Sequence, residues 1–210
     1  MSIVPPSDFN AMKVIQMVPE NCIGIVLECG YVPPCRELVD KHNRFEMPAR
    51  LNVKVEEAYH PTFRFSMISQ LKNATKLPII VRGIQSAEDA RTAVKFGASA
   101  VWIVASTFES DPSPISIVKA VKLSVGQIPV FLTGGIRRGT DVLKAIALGA
   151  DAVFLDPETP LWGLNLDGKA GLKRMVEMVV DELKLAMVLT HCVNVQAITE
   201  KQVVHWVSKL

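Results

Sequence analysis

The hydrophobic positions of this chain fall into short runs with longer amphipathic stretches between them. The runs are mostly apolar from end to end, which is typical of strands covered on both faces in a parallel sheet. They lie at 23–27, 77–82, 99–104, 128–132 and 151–155. Between the last two runs, Val142, Leu143, Ile146 and Ala147 recur at helical spacing. The pattern therefore predicts an α/β protein with parallel strands and intervening helices.

One strand–helix–strand unit occurs twice. Residues 77–104 (the first unit) align with residues 128–155 (the second unit) at an offset of about fifty residues. In the second unit, Thr140 is a plausible N-cap and Gly149 ends the helix, and Gly97 is the counterpart of Gly149 in the first unit. Repeated βα units build a (β/α)8 barrel or an open doubly wound sheet, and the repetition favours the barrel. A helix is expected outside each pair of parallel strands.

The same periodicity indicates helices outside the two units. They lie at 9–18, 66–74, 114–124 and 171–190. The last of these is amphipathic, which favours a place in the outer ring of a barrel. Within the two units, Asp89 and Asp141 occupy equivalent places near the starts of the repeat helices, where a carboxylate is favourable.

Composition narrows the classes of function. A chain of 210 residues with 49% hydrophobic content is large enough for one domain with a sizeable core. The net charge of +2, without a basic stripe, gives no support for nucleic-acid binding, and no apolar stretch is long enough to span a membrane. The four cysteines do not have metal-ligand spacing and are expected to be reduced, and the four histidines are scattered. No metal site is expected.

The turn after the apolar run 128–132 is the strongest candidate for ligand binding. Gly134-Gly135 permits a tight turn and close approach to a ligand, and Arg137 follows. Free N–H groups beside a cation suit a phosphate. The alternative is that the two glycines serve only the fold. A separate signal is Ser208-Lys209-Leu210, the tripeptide that the peroxisomal import receptor reads, so a peroxisomal location is expected.

Most of the chain from Leu77 to His191 resembles the later part of the FMN-dependent 2-hydroxy-acid oxidases, the glycolate oxidase and L-lactate dehydrogenase family. The resemblance is carried by LPIIVRGIQSAEDARTAVKFGA, VFLTGGIRRGTDVLKAIALGADAVF and GLKRMVEMVVDELKLAMVLTHC, with a weaker match at 43–48. It implies a (β/α)8 barrel that carries FMN at its C-terminal mouth and oxidises a 2-hydroxy acid to a 2-oxo acid. Residues 1–210 are accordingly expected to form one truncated domain, a partial barrel of about five parallel strands with outer helices.

The catalytic residues that the resemblance implies are altered in this chain. The family has a histidine base and a substrate-binding arginine in the loop after its sixth strand, whereas residues 105–111 contain neither type. Arg82 stands where the family has a lysine beside the flavin, and it keeps the charge but changes the donor geometry. Arg36 is the candidate for the substrate carboxylate. With no intact general base, little or no oxidase activity is expected.

The cofactor site that the resemblance implies is partly retained. Its residues are Arg82, Thr133, Gly134, Gly135 and Arg137. Thr133 replaces an aspartate that holds the ribityl chain in the family. After the last strand, 156–158 reads Asp-Pro-Glu where the family has Gly-Arg, so two carboxylates would face the phosphate. Weakened FMN binding is therefore expected.

Truncation predicts an incomplete barrel, because five parallel strands leave two open edges. The side chains expected to be exposed on its interior are Ile79, Val81, Val130, Leu132 and Val153. One hypothesis is a flavoenzyme that still oxidises some 2-hydroxy acid, completed by a second chain. The other is a non-catalytic relative that binds a partner, either another copy or a full-length member of the family. Weak binding of a 2-hydroxy acid is compatible with both.

Overall fold

The computed structural model describes residues 2–3, 10–29, 63–105, 113–156 and 158–204. Its strands are β1 (Ser2–Ile3), β2 (Ile25–Glu28), β3 (Ile79–Ile84), β4 (Ala100–Ile103), β5 (Val130–Thr133) and β6 (Ala152–Phe154). Its helices are α1 (Ala11–Gln16), α2 (Ser66–Ala74), α3 (Ala87–Lys95), α4 (Pro114–Val125), α5 (Gly139–Ala147) and α6 (Glu158–Leu189). Two short 3-10 turns follow at Val195–Ala197 and Glu200–Gln202.

The strands form one sheet in which every pair is parallel and the spatial order follows the chain order, β1 to β6. This topology is a barrel segment with helices between successive strands, so the predicted partial (β/α)8 fold is confirmed. All five predicted strands are present. The additional strand β1 pairs with β2 through Ser2 and Ile3, in a part of the chain where no strand was predicted.

The predicted helices are confirmed with adjusted ends. α2 has the predicted bounds, whereas α6 begins at Glu158, well before the predicted start at residue 171. Non-helical backbone at Asp167 and Gly168 kinks α6, so the predicted helix is its second half. Within the described part of the chain, no helix is both long and apolar enough to span a membrane.

The two faces of the sheet differ in character. The side chains facing the helices are fully buried aliphatic residues, including Ile25, Leu27, Ile79, Val81, Val101, Val130 and Leu132. The expectation that Ile79, Val81, Val130 and Leu132 would lie exposed in an open interior was therefore wrong. Continuous apolar runs do not reveal which alternate residues face the helices. The opposite face presents the other set, such as Arg82, Trp102 and Phe131.

The helix ends in the two units follow the same design. Gly97 and Gly149 adopt φ values of 102° and 108° just after α3 and α5, as expected for glycine helix stops. The predicted N-cap Thr140 was wrong, because α5 is capped at Arg138. Asp141 Oδ2 accepts hydrogen bonds from the N–H groups of Arg137 and Arg138. The Asp141 side chain, within the first turn of α5, therefore accepts hydrogen bonds from the N–H groups at the start of the helix.

Candidate functional site

The carboxyl edge of the sheet gathers one polar or aromatic side chain from each of five strands. Glu28, Arg82 and Trp102 are direct register partners across β2, β3 and β4. Thr133 and Phe154 are register partners at the ends of β5 and β6. Because parallel strands end at the same edge, these residues come together in one row. The register partner of Trp102 is Phe131, and a hydrogen bond from Trp102 to Thr133 links the two sets. Ligands of parallel α/β sheets bind at this edge, which makes the row a candidate site.

Arg82 is held by two neighbours in this row. Its Nη1 donates a hydrogen bond to Glu28 Oε2 at 2.6 Å, and the Glu28 side chain is only 12% exposed. Its guanidinium carbon lies 5.4 Å from the centroid of the Trp102 ring. A charge-assisted hydrogen bond to a mostly buried carboxylate is strong, and the aromatic face adds a cation–π attraction. The Arg82 charge is therefore compensated within the protein.

Three aromatic rings cover the middle of the row. Trp102 stacks on Phe154 with 4.3 Å between ring centroids, and Phe131 meets both rings edge-on at 6.1 and 5.9 Å. The indole Nε1 of Trp102 donates to Thr133 Oγ1 at 2.8 Å. Thr133, which was expected near the ribityl chain, is thus 9% exposed and engaged by a neighbouring strand. The cluster fixes the orientation of Trp102 beneath Arg82.

The turn after β5 contains two consecutive glycines in the left-handed region. Gly134 has φ 120°, and a Cβ there would lie 2.6 Å from Ala105 Cβ, so close packing requires glycine. Gly135 has φ 73°, and a Cβ there would have no atom of the described part of the chain within 4 Å. Its N–H donates to Asp156 Oδ2 at 2.8 Å. The acceptor at the predicted phosphate turn is therefore a carboxylate of the same chain.

Arg137 lies beside this turn and faces a separate cleft of about 420 Å³, which it lines with Glu158, Thr159, Trp162 and Met175. Among the residues that the structure describes, its guanidinium has no ion-pair partner within 4.0 Å. Of the two predicted cations within the described residues, Arg82 is paired with a carboxylate and Arg137 is not.

Cys29 follows β2 directly at the same edge. Burial, reinforced by the nearby carboxylates of Asp89 and Glu28, raises the pKa of its thiol to about 12. The thiol remains protonated at neutral pH and cannot serve as a nucleophile or a base. Within the described residues, no group of three or more potential metal-binding side chains is present.

Arg82 and Thr133 lie at the carboxyl ends of β3 and β5, and Gly134 and Gly135 follow β5 directly, whereas Arg137 faces the separate cleft. Their roles in binding a cofactor stay predictions. Arg36, the loop 106–112 and the tripeptide Ser208-Lys209-Leu210 lie outside the described residues. Sequence reasoning missed the partners of these groups, Glu28 and Trp102. The signal for Glu28 was present, since it is a charged residue that ends an apolar run just as Arg82 does.

Comparisons with known proteins agree with this geometry. The family model described as FMN-dependent dehydrogenase matches residues 16–205. Glycolate oxidase 3 of Oryza sativa subsp. indica is 35% identical over 194 residues, which cover 80% of this chain and 53% of the relative. For 2-Hydroxyacid oxidase 1 of Homo sapiens, the identity is 35% over 189 residues, or 77% of this chain and 51% of the relative. A mandelate oxidase variant solved with (S)-mandelic acid superposes with a TM-score of 0.78 at 28% identity, covering 93% of this chain and 60% of that chain.

The fold is that of a parallel α/β barrel segment, and the family model and the relatives identify its class. The chain belongs to the FMN-dependent 2-hydroxy-acid oxidase and dehydrogenase family. It spans about half the length of the curated relatives that it matches.

FMN is the cofactor that membership of this family implies. Three groups were expected to meet its negative charge, namely Arg137, the Arg82 guanidinium and the Gly135 N–H. Arg137 has no ion-pair partner within 4.0 Å among the described residues, and the other two groups lie at the carboxyl edge. Both are engaged by carboxylates of the same chain, Glu28 and Asp156. In this arrangement the residues present do not fit the cofactor at those two points, although the glycine turn that would approach it is retained.

Proposed function

We propose that this protein is a peroxisomal relative of the 2-hydroxy-acid oxidases with weakened FMN binding and little or no oxidase turnover. The observation that carries the proposal is the ion pair between Arg82 and Glu28, with 2.6 Å between Nη1 and Oε2. A cation whose charge is already neutralised by a mostly buried carboxylate attracts a reduced flavin or a substrate carboxylate less strongly. Engagement of the Gly135 N–H by Asp156 supports the same conclusion.

The sequence of the loop 105–111 supports the loss of turnover. Oxidation of a 2-hydroxy acid needs a base within hydrogen-bond reach of the hydroxyl and a cation at the carboxylate. The loop contains neither histidine nor arginine. Loss of a general base alone costs roughly 10²–10⁴-fold in rate. Arg36 and Arg137 leave room for weak binding of a 2-hydroxy acid without turnover.

The proposal is tested on purified protein with added FMN. We expect no visible flavin absorption after gel filtration, and peroxide release from a panel of short and long 2-hydroxy acids roughly 10²–10⁴-fold below that of a full-length relative. The alternative is an active oxidase. It would be supported by ordinary turnover that is lost in Arg82→Gln and retained in Lys184→Gln, a matched charge removal at an exposed site on α6.

The peroxisomal part of the proposal rests on Ser208-Lys209-Leu210 and on the family resemblance. A fluorescent fusion that carries its tag at the N-terminus and ends at Leu210 is expected in peroxisomes. Deletion of Leu210 should leave it in the cytosol. Cytosolic fluorescence from the intact fusion would contradict this location.

We also propose that the open side of the barrel segment binds a second copy of the chain or a full-length relative. Within the described residues β6 has one strand neighbour, β5, and Phe154 at its end is 39% exposed. An unpaired strand edge beside an exposed aromatic ring favours association. Light scattering of the protein alone should give a mass above that of one 23.0 kDa chain. Failing that, the mixture with a full-length relative should contain a species heavier than that relative alone. A monomer in both samples would contradict the proposal.

A further inference from the structure

We propose that the Asp156 carboxylate is an internal occupant of the anion-binding turn at Gly134-Gly135, and that it sets the affinity of this turn for phosphate. The inference rests on the proposed function, since it gives a cause for the weakened binding of a phosphate-bearing cofactor. The cause is the Asp156 side chain, and the backbone of the turn remains able to bind a phosphate.

The backbone of the turn is built to receive an anion. Gly134 and Gly135 have φ values of 120° and 73°, and this backbone directs the Gly135 N–H at a negatively charged group. A Cβ placed on Gly135 would meet no atom of the described residues within 4 Å. Arg137, two residues further on, faces the neighbouring cleft and has no ion-pair partner among the described residues. Geometry alone therefore does not exclude a phosphate.

The anion present is Asp156. β6 ends at Phe154, which pairs in register with Thr133, so the segment after β6 lies beside the turn after β5. Asp156 is the second residue of that segment, and its Oδ2 accepts the Gly135 N–H at 2.8 Å. The carboxylate uses the donor that a phosphate oxygen would use. It also places a negative charge about 5 Å or less from any phosphate bound there, which costs on the order of 1–3 kcal/mol at intermediate dielectric.

Two substitutions at Asp156 separate the effect of its hydrogen bond to Gly135 from the effect of its negative charge. Asp156→Ala removes the acceptor and the charge, whereas Asp156→Asn removes the charge and keeps an oxygen able to accept the Gly135 N–H. Asp181→Asn is the matched control, because it removes one carboxylate from an exposed site on α6. The probes are FMN and riboflavin, which share the ring and the ribityl chain and differ in the phosphate.

Calorimetric titration should show FMN binding roughly tenfold to a hundredfold tighter in Asp156→Ala than in the wild-type chain. The gain in Asp156→Asn should be smaller, and Asp181→Asn should show none. Riboflavin affinity should change by less than about twofold in every variant, since it has no phosphate to be repelled. Equal FMN affinities in Asp156→Ala and Asp181→Asn would overturn the proposal. So would the absence of FMN binding by Asp156→Ala, or a gain for riboflavin as large as that for FMN.

An experiment on the wild-type chain keeps the proposal testable if the variants do not fold. Gly135 is exposed, so its amide hydrogen should exchange rapidly unless Asp156 holds it. We expect exchange well below the rate of a free glycine amide, and exchange at the free rate would overturn the proposal. The proposed function is judged separately, by the colour and turnover of the wild-type protein. A yellow, active wild-type protein would refute that function, and the ratio of FMN affinities would still decide the role of Asp156.

Discussion

The first and second units share a scaffold and differ at the mouth. Val81 corresponds to Leu132 and Gly83 to Gly134, whereas Ile84 corresponds to Ile136. The second unit therefore carries one additional residue after its strand, which is Gly135. In the first unit the strand ends in an ion pair with the preceding strand. In the second it ends in a two-glycine turn whose additional N–H binds Asp156.

Each unit has a glycine where the backbone after its strand closely approaches the end of the preceding strand. Gly83 and Gly134 have φ values of 102° and 120°. A Cβ on Gly83 would lie 1.8 Å from the carbonyl oxygen of Cys29, and one on Gly134 would lie 2.9 Å from the amide nitrogen of Ala105. In each unit the glycine thus passes the end of the preceding strand. Packing sets the common scaffold, and one inserted residue changes the chemistry at the edge.

The largest expected effect comes from adding a methyl group at these glycines. Gly83→Ala and Gly134→Ala should each lower the free energy of unfolding by more than about 3 kcal/mol, because strain at positive φ adds to a clash with the neighbouring strand end. Gly135→Ala should cost only about 1–2 kcal/mol, the penalty of left-handed backbone in open space. Urea denaturation measures all three. Equal losses at Gly134 and Gly135 would break the distinction between a packing glycine and a ligand-facing one.

Much of the scaffold could be predicted from the sequence, because local patterns determine it. The bounds of α2 were predicted to the residue from helical periodicity, and all five apolar runs contain strands. The orientation of those strands could not be predicted. A run that is apolar throughout does not show which alternate side chains face the helices. Val81 and Leu132 were therefore assigned to the wrong side of the sheet.

The site was predicted in part, for a similar reason. Its glycines and cations were visible in the motif, but their acceptors come from other segments. Glu28 is 54 residues from Arg82 in sequence, and Asp156 is 21 residues from Gly135. The Arg82–Glu28 pair depends on strand register, which the sequence does not display, whereas the Asp156 carboxylate was expected at the phosphate side from the family resemblance. The N-cap of α5 was missed because Arg138 is not a typical capping residue.

The equivalence of the two units can be tested in the core. Ile84 and Ile136 are 0% and 1% exposed and occupy matching places after the two glycines. Truncation of either to alanine should cost about 2–5 kcal/mol, since each leaves a cavity in a close-packed core. The two losses should agree within about 1 kcal/mol. Ile23→Ala, at a side chain that is 90% exposed, should change stability by less than about 0.5 kcal/mol in the same urea denaturation experiment. A small loss at one core isoleucine alone would show that the units pack differently.

The smallest expected effect concerns hydrogen bonds between α6 and the start of α5, which the first unit does not have in this form. Glu182 of α6 accepts hydrogen bonds from the Arg138 side chain and the Gly139 N–H, whereas the start of α3 is capped locally by Ser86. The hydrogen bond from Arg138, followed by the one from Gly139, lowers the pKa of Glu182 from its ordinary value of 4.5. A lowered pKa stabilises the fold above the ordinary value, and that contribution is lost as the pH falls through the lowered one.

Glu182→Gln should therefore destabilise the protein slightly at pH 7, and its difference from the wild type should shrink once the pH falls below about 4.5. The pair is exposed and screened by solvent, so the effect should be the smallest of the series and should weaken further in high salt. Urea midpoints measured from pH 7 to pH 3 provide the test. Glu177→Gln is the control, because its i,i+4 partner Lys173 lies on the same helix and ties no other element. If the difference for Glu182→Gln stayed constant across this range, the carboxylate would contribute nothing through its charge.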